Sequence, residues 1–235
     1  MPKQYDDLEN LVFDAAKRLL IRFGFAKTSM DEIAREAGIA KSTLYTRWHS
    51  KEALLTDLIW RESKFTTQAW FERVQADPEG GALKAIYGHA LEVLFSNEFW
   101  MAVLKQDKAM LGTFFHKLGI SEFFSRRWAL NTLLIKRLQE VGVVRDDLDA
   151  SMIAYQSLIM QYGLLRMDEV IPMETAPPYL DNLALNLRIM QDWLTPQGEV
   201  NHEAGKQVIR EFMAQAIAQM DIMEAQMQAK RRGQT

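Results

Sequence analysis

Residues 41–47, KSTLYTR, combine hydroxyl, phenol and guanidinium groups within one short segment. Leu44 and Trp48 lie four residues apart, so on a helix they would share one inward face. The remaining side chains would then face outward without a packing role. Hydroxyls and a guanidinium on the outer face of a short helix can bond to base edges and phosphates when that helix enters the major groove of DNA. The chemistry that this segment predicts is therefore DNA recognition.

A second short helix is predicted just before this segment, and a tight turn joins the two. Ser29 and Glu32 have the spacing of a capping box, in which each side chain bonds to the backbone N–H of the other. Gly38 stands where the end of a helix requires a left-handed residue. Ala40 precedes the next helix without a capping side chain, which costs about 1 kcal/mol relative to serine. The pattern predicts a helix-turn-helix.

Longer amphipathic helices are predicted on both sides of this pair. Apolar residues from Leu8 to Phe23 recur at intervals of three and four, which predicts a first helix that ends at Gly24. Ser50 can cap a helix from about residue 50 to about residue 75, and this helix would link the N-terminal helices to the rest of the chain. Residues 77–81, DPEGG, are the first clear break after it.

Residues 8–60 resemble the DNA-binding domain of the tetracycline-repressor (TetR) family. The resemblance rests on short motifs in a fixed order, namely Gly24-Phe25, Thr28, DEIA at 31–34, Ala37-Gly38-Ile39, Thr43-Leu44-Tyr45 and SKEAL at 50–54. It covers about a quarter of the chain, and beyond residue 60 it is limited to general architecture and the segment GVVRDDLDA at 142–150. Trp48 stands where the family usually has Phe, and His49 where Pro is frequent. The resemblance implies an N-terminal DNA-binding domain and a C-terminal helical domain for ligand binding and dimerisation.

Nine residues around the helix-turn-helix are predicted to contact DNA: Thr28, Ser29, Lys41, Ser42, Thr43, Tyr45, Arg47, His49 and Lys51. Thr43 and Arg47 can reach base edges, whereas the resemblance implies that Tyr45 and Lys51 contact phosphates. For any one of these residues the alternative is an ordinary solvated helix surface.

In the second half of the chain the spacing of apolar residues predicts helices, and few segments show the alternating pattern of β-strands. The expected fold class is therefore all-α. Residues 1–50 would form a three-helix DNA-binding domain, and residues 51–235 the effector-binding and dimerisation domain. No charged residue occurs from Ala150 to Leu165, which predicts a helix buried on all sides. Leu180–Leu194 and the Met-rich segment 202–228 each have two apolar faces, and either could form the dimer seam. We favour Leu180–Leu194.

A set of aromatic and amide side chains could line an effector pocket: Phe95, Phe99, Trp100, Phe114, Trp128, Tyr155, Gln156 and Tyr162. Core packing explains each aromatic residue taken alone better than a pocket does. Together they pair apolar surface with hydrogen-bonding tips, which favours a small apolar or aromatic organic effector. Arg126, Arg127 and Arg166 are expected near helix ends in contact with solvent. A neutral or weakly polar effector is therefore expected.

Composition narrows the remaining classes of function. The chain has no cysteine, which excludes disulfides and thiolate chemistry, and its four histidines are too scattered to predict a metal site. No cofactor motif or catalytic constellation is found, so an enzyme is not expected. The net charge is −3, but the segment 27–51 carries five basic against three acidic residues, which suits contact with phosphates. Charged residues recur from Lys3 to Asp14, so no signal peptide is predicted and a cytoplasmic protein is expected.

These features predict a homodimeric, ligand-responsive transcriptional regulator. We expect a repressor that binds a palindromic operator and is released by a small organic effector. One alternative is an activator, or a DNA binder without ligand-released repression. Another is an all-α small-molecule binding protein or enzyme that has lost DNA binding, against which the intact Thr43, Tyr45, Arg47 and Lys51 argue.

Overall fold

The computed structural model consists of α-helices, and no β-strand occurs among the residues that it describes. These are residues 6–112, 114, 120–167, 171–172, 174–175 and 177–231, with the backbone alone described at 120–124, 126, 179–180, 219–220 and 223–231. The predicted all-α fold class is confirmed. Within the described ranges no helix has both the length and the apolar character needed to cross a membrane. The chain divides into two compact units.

The first unit comprises residues 1–66, 97–120 and 215–235. Its helices are α1 (Asp7–Lys27), α2 (Met30–Glu36), α3 (Lys41–Arg47), the start of α4 (Lys51–Ala76), α6 (Glu98–Lys105), α7 (Lys108–Leu111) and the end of α11 (His202–Arg231). α1 packs against α2, α6 and α7, and α2 packs against α3. Phe13, Ile33, Leu44 and Leu54 are fully buried and form the core beneath α3.

Gly24 interrupts α1 where the sequence predicts the end of the first helix. Its φ of 75° and ψ of 170° are not helical, and a short helical turn up to Lys27 follows the kink. A Cβ atom at Gly24 would clash with the backbone carbonyl of Ala109 in α7. The glycine therefore serves both the bend and the close approach of α1 to α7.

The second unit comprises residues 67–96 and 121–214. It contains the end of α4, α5 (Leu83–Phe95), α8 (Ile120–Glu140), α9 (Ala150–Arg166), α10 (Tyr179–Leu194) and the start of α11. α5 packs against α10, and α10 packs against α9. Asp149 caps α9 by accepting hydrogen bonds from the backbone N–H groups of Ser151 and Met152.

The uncharged helix α9 is not buried on all sides, so that prediction is wrong. Ile153 and Ala154 are buried, whereas Met152, Tyr155 and Ile159 are exposed. A helix without charges can present one apolar face to the core of its own subunit and another outward. Its composition alone does not distinguish a second, partner-facing surface from a fully buried helix.

Candidate nucleic-acid interface

The turn between α2 and α3 has the geometry that the sequence predicts. Ser29 Oγ accepts from the Glu32 backbone N–H at 3.2 Å, and Glu32 Oε2 accepts from the Ser29 backbone N–H at 2.8 Å, which confirms the capping box. Gly38 has a φ of 69°, in the left-handed region. Ala40 precedes α3 and provides no side-chain cap, as expected.

Two buried side chains fix the orientation of α3. Leu44 is fully buried, and Trp48, directly after the helix, packs edge-on against Phe13 with 5.4 Å between ring centroids. Trp48 Nε1 also donates to Asp57 Oδ2 at 2.8 Å. The indole that stands in place of the usual Phe therefore fills the core and satisfies its extra polar group.

The rest of α3 forms an exposed polar surface. Its six outward residues are Lys41, Ser42, Thr43, Tyr45, Thr46 and Arg47. Thr46 Oγ1 donates to the Ser42 carbonyl at 2.8 Å. Ser29 and His49 are exposed beside this surface. Seven of the nine predicted DNA-contact residues thus lie on the outside of the helix-turn-helix.

The two cations of this surface are paired with carboxylates. Arg47 Nη2 lies 2.7 Å from Asp6 Oδ2, and Arg47 Nη1 lies 3.2 Å from Glu9 Oε1. Lys41 Nζ lies 2.7 Å from Asp31 Oδ2, and this hydrogen bond raises the pKa of Lys41. Exposed ion pairs of this kind contribute little free energy because water and salt screen them. A phosphate or a base edge can therefore replace the carboxylates.

Thr28 and Lys51 are placed differently from the other seven residues. Thr28 is buried, and its hydroxyl donates to the Gly24 carbonyl at 2.9 Å. Lys51 Nζ donates to the carbonyls of Phe25 and Thr28, both at 2.5 Å, and lies 3.9 Å from the centroid of the Phe25 ring. Burial lowers the pKa of Lys51. Both side chains secure the C-terminal end of α1, so the Thr28 side chain is not available to DNA and Lys51 has a structural role as well.

A buried polar cluster within the first unit was not anticipated from the sequence. Glu62 Oε2 accepts from Lys17 Nζ at 2.6 Å and from Asn97 Nδ2 at 3.0 Å, and Glu62 Oε1 accepts from Arg61 Nη2 at 2.9 Å. Burial opposes ionisation of Glu62, but these hydrogen bonds outweigh it and lower its pKa. The cluster joins α1, α4 and the residue that caps α6. The sequence signal for this cluster was the adjacent charged pair Arg61 and Glu62, which lies between inward-facing apolar residues of α4.

The eight predicted effector-contact residues fall in both units. In the first unit Phe99, Trp100 and Phe114 are buried, and Phe114 stacks on Phe25 with 5.4 Å between ring centroids. They are ordinary core residues in their surroundings.

The other five lie in the second unit and are more accessible. Trp128 and Tyr155 are 43% and 57% exposed and contact each other edge-on at 6.3 Å between ring centroids. Gln156 is exposed, and Phe95 is half-buried. Tyr162 is half-buried, and its hydroxyl accepts from Arg166 Nη1 at 3.0 Å.

Arg127 is half-buried, whereas the sequence predicted solvent contact near a helix end. α8 begins at Ile120, which places Arg127 two turns inside the helix rather than at its end. Its Nη2 donates to Gln161 Oε1 at 2.6 Å, and burial lowers its pKa to about 10. The side chain of Arg126 lies outside the described residues.

Comparisons with known proteins agree with this architecture. Residues 12–58 match the family model for the N-terminal domain of bacterial regulatory proteins of the tetR family. The HTH-type transcriptional regulator EthR of Mycolicibacterium smegmatis is 44% identical over 54 residues, which are 23% of this chain and 25% of EthR. The uncharacterized HTH-type transcriptional regulator YdeS of Bacillus subtilis is 26% identical over 155 residues, covering 65% of this chain and 73% of YdeS.

Structural similarity extends beyond the helix-turn-helix. The fatty acid degradation regulator FadR of Bacillus halodurans superposes with a TM-score of 0.60 at 17% identity, over 80% of this chain and 97% of that chain. This similarity shows the shared fold, whereas the match to EthR spans only a quarter of that protein's length. On the family model and the regulator relatives, residues 12–58 form an N-terminal domain of the tetR family of bacterial regulatory proteins, and the structural similarity shows the shared fold for most of the chain.

Proposed function

We propose that the chain is a transcriptional repressor that binds a palindromic operator as a homodimer and is released by a small organic effector. The observation that carries the proposal is the outer face of α3, where six polar side chains surround two buried anchors. Such a face fits the major groove. The names of EthR and YdeS, both HTH-type transcriptional regulators, support the same class of function.

The exposed residues divide by reach into two kinds of DNA contact. Ser42, Thr43 and Arg47 would contact base edges and set the operator sequence. Tyr45 and other residues around α3 would contact phosphates and set the position of the protein on the duplex. The proposed phosphate contacts are Ser29, Lys41, Tyr45, His49 and Lys51.

An exposed apolar surface in the second unit supports the homodimer. On α10, Leu185, Ile189 and Trp193 recur every four residues and are 56, 51 and 54% exposed. The exposed face of α9, with Tyr155 at its middle, belongs to a helix that packs against α10. Two neighbouring helices with outward apolar faces would pack on the same faces of a second copy as a four-helix bundle. We therefore keep Leu180–Leu194 as the proposed seam, although the side chain of Leu180 is outside the described residues.

The effector part of the proposal concerns the second unit. Phe95, Trp128, Tyr155, Gln156 and Tyr162 offer apolar surface together with polar tips. In the first unit, the buried Phe99, Trp100 and Phe114 would offer mainly apolar surface. An effector needs a coupling free energy of only about 1–3 kcal/mol between the two sites to change operator affinity about 5- to 150-fold.

Selection of duplexes from a random pool by the purified full chain tests the DNA-binding part. The expected product is a dyad-symmetric sequence whose half-sites lie about one helical turn apart, or slightly more. The double variant Thr43→Ala/Arg47→Ala should not enrich it, whereas Lys136→Ala, on the exposed side of α8, should. Enrichment of the same sequence by the Thr43→Ala/Arg47→Ala variant would contradict the assignment of α3. A transcription assay on the selected operator then separates repression from activation.

A further inference from the structure

A row of polar side chains runs between α8 and α9 in the second unit. Arg127 and Asn131 are one turn apart on α8, and Ser157 and Gln161 are one turn apart on α9. Arg127 Nη2 donates to Gln161 Oε1 at 2.6 Å, and Tyr87 of α5 donates its hydroxyl to Asn131 Oδ1 at 3.1 Å. Tyr87 also bonds to Ser157. We call these five residues the Arg127 cluster.

Arg127 is the charged member of this cluster, and no carboxylate pairs with it in the part of the chain that the structure describes. Gln161 is a neutral acceptor that takes one of the five guanidinium N–H groups. Burial raises the pKa of Tyr87, so this phenol is neutral near pH 7 and supplies no negative charge. Burial also lowers the pKa of Arg127 to about 10, which still leaves the guanidinium charged near pH 7.

Arg127 differs in its pairing from five surface arginines of this unit, whereas Arg166 bonds to the hydroxyl of Tyr162. Five arginines on the surface each pair with a carboxylate: Arg73, Arg137, Arg145, Arg188 and Arg210. Ion pairs at such exposed positions stabilise a protein little. Arg127 is half-buried, where an unpaired charge is less well solvated than on the surface, and its hydrogen-bond partner is the amide of Gln161. A positive charge held in this way is suited to an anion that is not part of the chain.

The surroundings narrow the class of anion. A guanidinium fork matches the two oxygens of a carboxylate, and Tyr87, Asn131 and Ser157 add neutral hydrogen-bonding groups. One positive charge balances a single negative charge, whereas a phosphate monoester or a nucleotide would bring more charge than the cluster neutralises. The buried residues Leu134 and Ile153 lie on the same two helices and favour an apolar body.

We propose that Arg127 binds the carboxylate of a small organic monocarboxylate with an apolar body, and that this compound is the effector class of the regulator. The inference rests on the proposed function for its regulatory meaning, but binding itself does not depend on DNA. It replaces the neutral effector expected from the sequence, because Arg127 is half-buried and bonded to Gln161. Gln161, Tyr87 and Asn131 would position the guanidinium and the ligand.

The test measures thermal unfolding of the full chain with a panel of benzoate, phenylacetate, octanoate and decanoate. Each acid is compared with its primary amide, which keeps the body and removes the charge, and inorganic phosphate serves as a free anion. At a concentration of about 100 times Kd, a bound acid should raise Tm by roughly 5–10 °C. The amides and phosphate should not.

Two variants connect this effect to the cluster. Arg127→Met should leave the unliganded Tm unchanged or higher, because it removes an unpaired charge, and should weaken acid binding about tenfold or more. Gln161→Glu should raise the unliganded Tm and also block the acid, because it places a carboxylate beside Arg127. Lys136→Met, on the exposed side of the same helix, should bind the acid like the parent.

Several results would overturn the inference. These are an undiminished response of Arg127→Met to the acid, an amide that acts as well as its acid, or no shift with any acid of the panel. Release from the selected duplex is measured separately. A chain that binds an acid through Arg127 but binds no duplex contradicts the proposed function alone, and a chain that binds the duplex but no acid contradicts the inference alone.

Discussion

At the scale of single residues, the surface proposed to meet DNA is occupied by the chain's own carboxylates. Asp6 and Glu9 hold the guanidinium of Arg47 on the outer side of α3. DNA binding must replace these contacts, so they compete weakly with the operator. The competition is weak at the Arg47–Asp6 pair because both of its side chains are exposed and screened.

A matched pair of substitutions tests this competition. Asp6→Asn keeps a good N-cap for α1 and removes a charge from Arg47, whereas Asp7→Asn removes the same charge one residue away. Asp6→Asn should increase operator affinity about two- to fivefold more than Asp7→Asn does at low salt. Fluorescence anisotropy at two salt concentrations measures the difference, which should shrink at the higher one. Equal effects of the two variants would show that Asp6 acts only through general charge.

Substitution of Lys51 should mainly lower stability, whereas substitution of Arg47 should mainly weaken DNA recognition. Lys51→Ala removes bonds to two carbonyls at the end of α1 and should lower the free energy of unfolding by about 1–2 kcal/mol, or Tm by roughly 2–8 °C. Arg47→Ala should weaken operator binding and change Tm by less than about 2 °C. Differential scanning calorimetry and anisotropy on the same samples measure both quantities. A Lys51→Ala protein of parental Tm that binds DNA weakly would assign Lys51 to phosphate contact alone.

At the scale of helices, local rules explain why some elements were predictable and others were not. Ser29 and Gly38 define α2 and its end by short-range bonding, which the sequence displays directly. The interruption of α1 at Gly24 was predicted, but its close approach to Ala109 of α7 was not, because that contact lies 85 residues away in sequence. The depth of Arg127 depends on where α8 begins, and the Glu62 cluster depends on which helices meet. Neither is encoded in local periodicity.

The Glu62 cluster should make stability depend on acid. Because the pKa of Glu62 is lower in the folded chain, its contribution is present above the unfolded value of about 4.3 and is lost as the pH falls through the folded pKa. Glu62→Gln should cost about 1–3 kcal/mol of unfolding free energy at pH 7. It should also weaken the loss of stability below about pH 4.3. Urea titrations from pH 7 to pH 3 measure both effects, and Glu72→Gln on the exposed side of α4 is the control. Parallel curves of unfolding free energy against pH for Glu62→Gln and the parent would contradict the account.

At the scale of the whole molecule, the exposed apolar faces of α9 and α10 do not contribute to the core of the second unit. A second copy would cover them and would also supply the second α3 that a palindrome requires. The sequence predicted two apolar faces for Leu180–Leu194, and the exposed positions of Leu185, Ile189 and Trp193 are consistent with that prediction. The sequence did not show which face turned outward, because that depends on the packing of α10 against α5.

A charged substitution on α10 tests the seam. Ile189→Asp places a charge in the proposed interface and should convert the dimer to a monomer at micromolar concentration, because an unpaired buried carboxylate is costly. Arg188→Asp, the neighbouring exposed position, should remain dimeric. Sedimentation velocity measures the mass, and far-ultraviolet circular dichroism checks that the helices persist. An Ile189→Asp protein that stays dimeric would place the seam elsewhere.

The central claim is that two copies of α3 read two halves of one operator. Equilibrium binding to the selected duplex, compared with a duplex in which one half-site is scrambled, tests it most directly, with the number of bound chains determined by sedimentation. The account predicts two chains on the intact duplex. The affinity for the scrambled duplex should be lower by a factor of about 100 or more. One bound chain with equal affinity for both duplexes would contradict it.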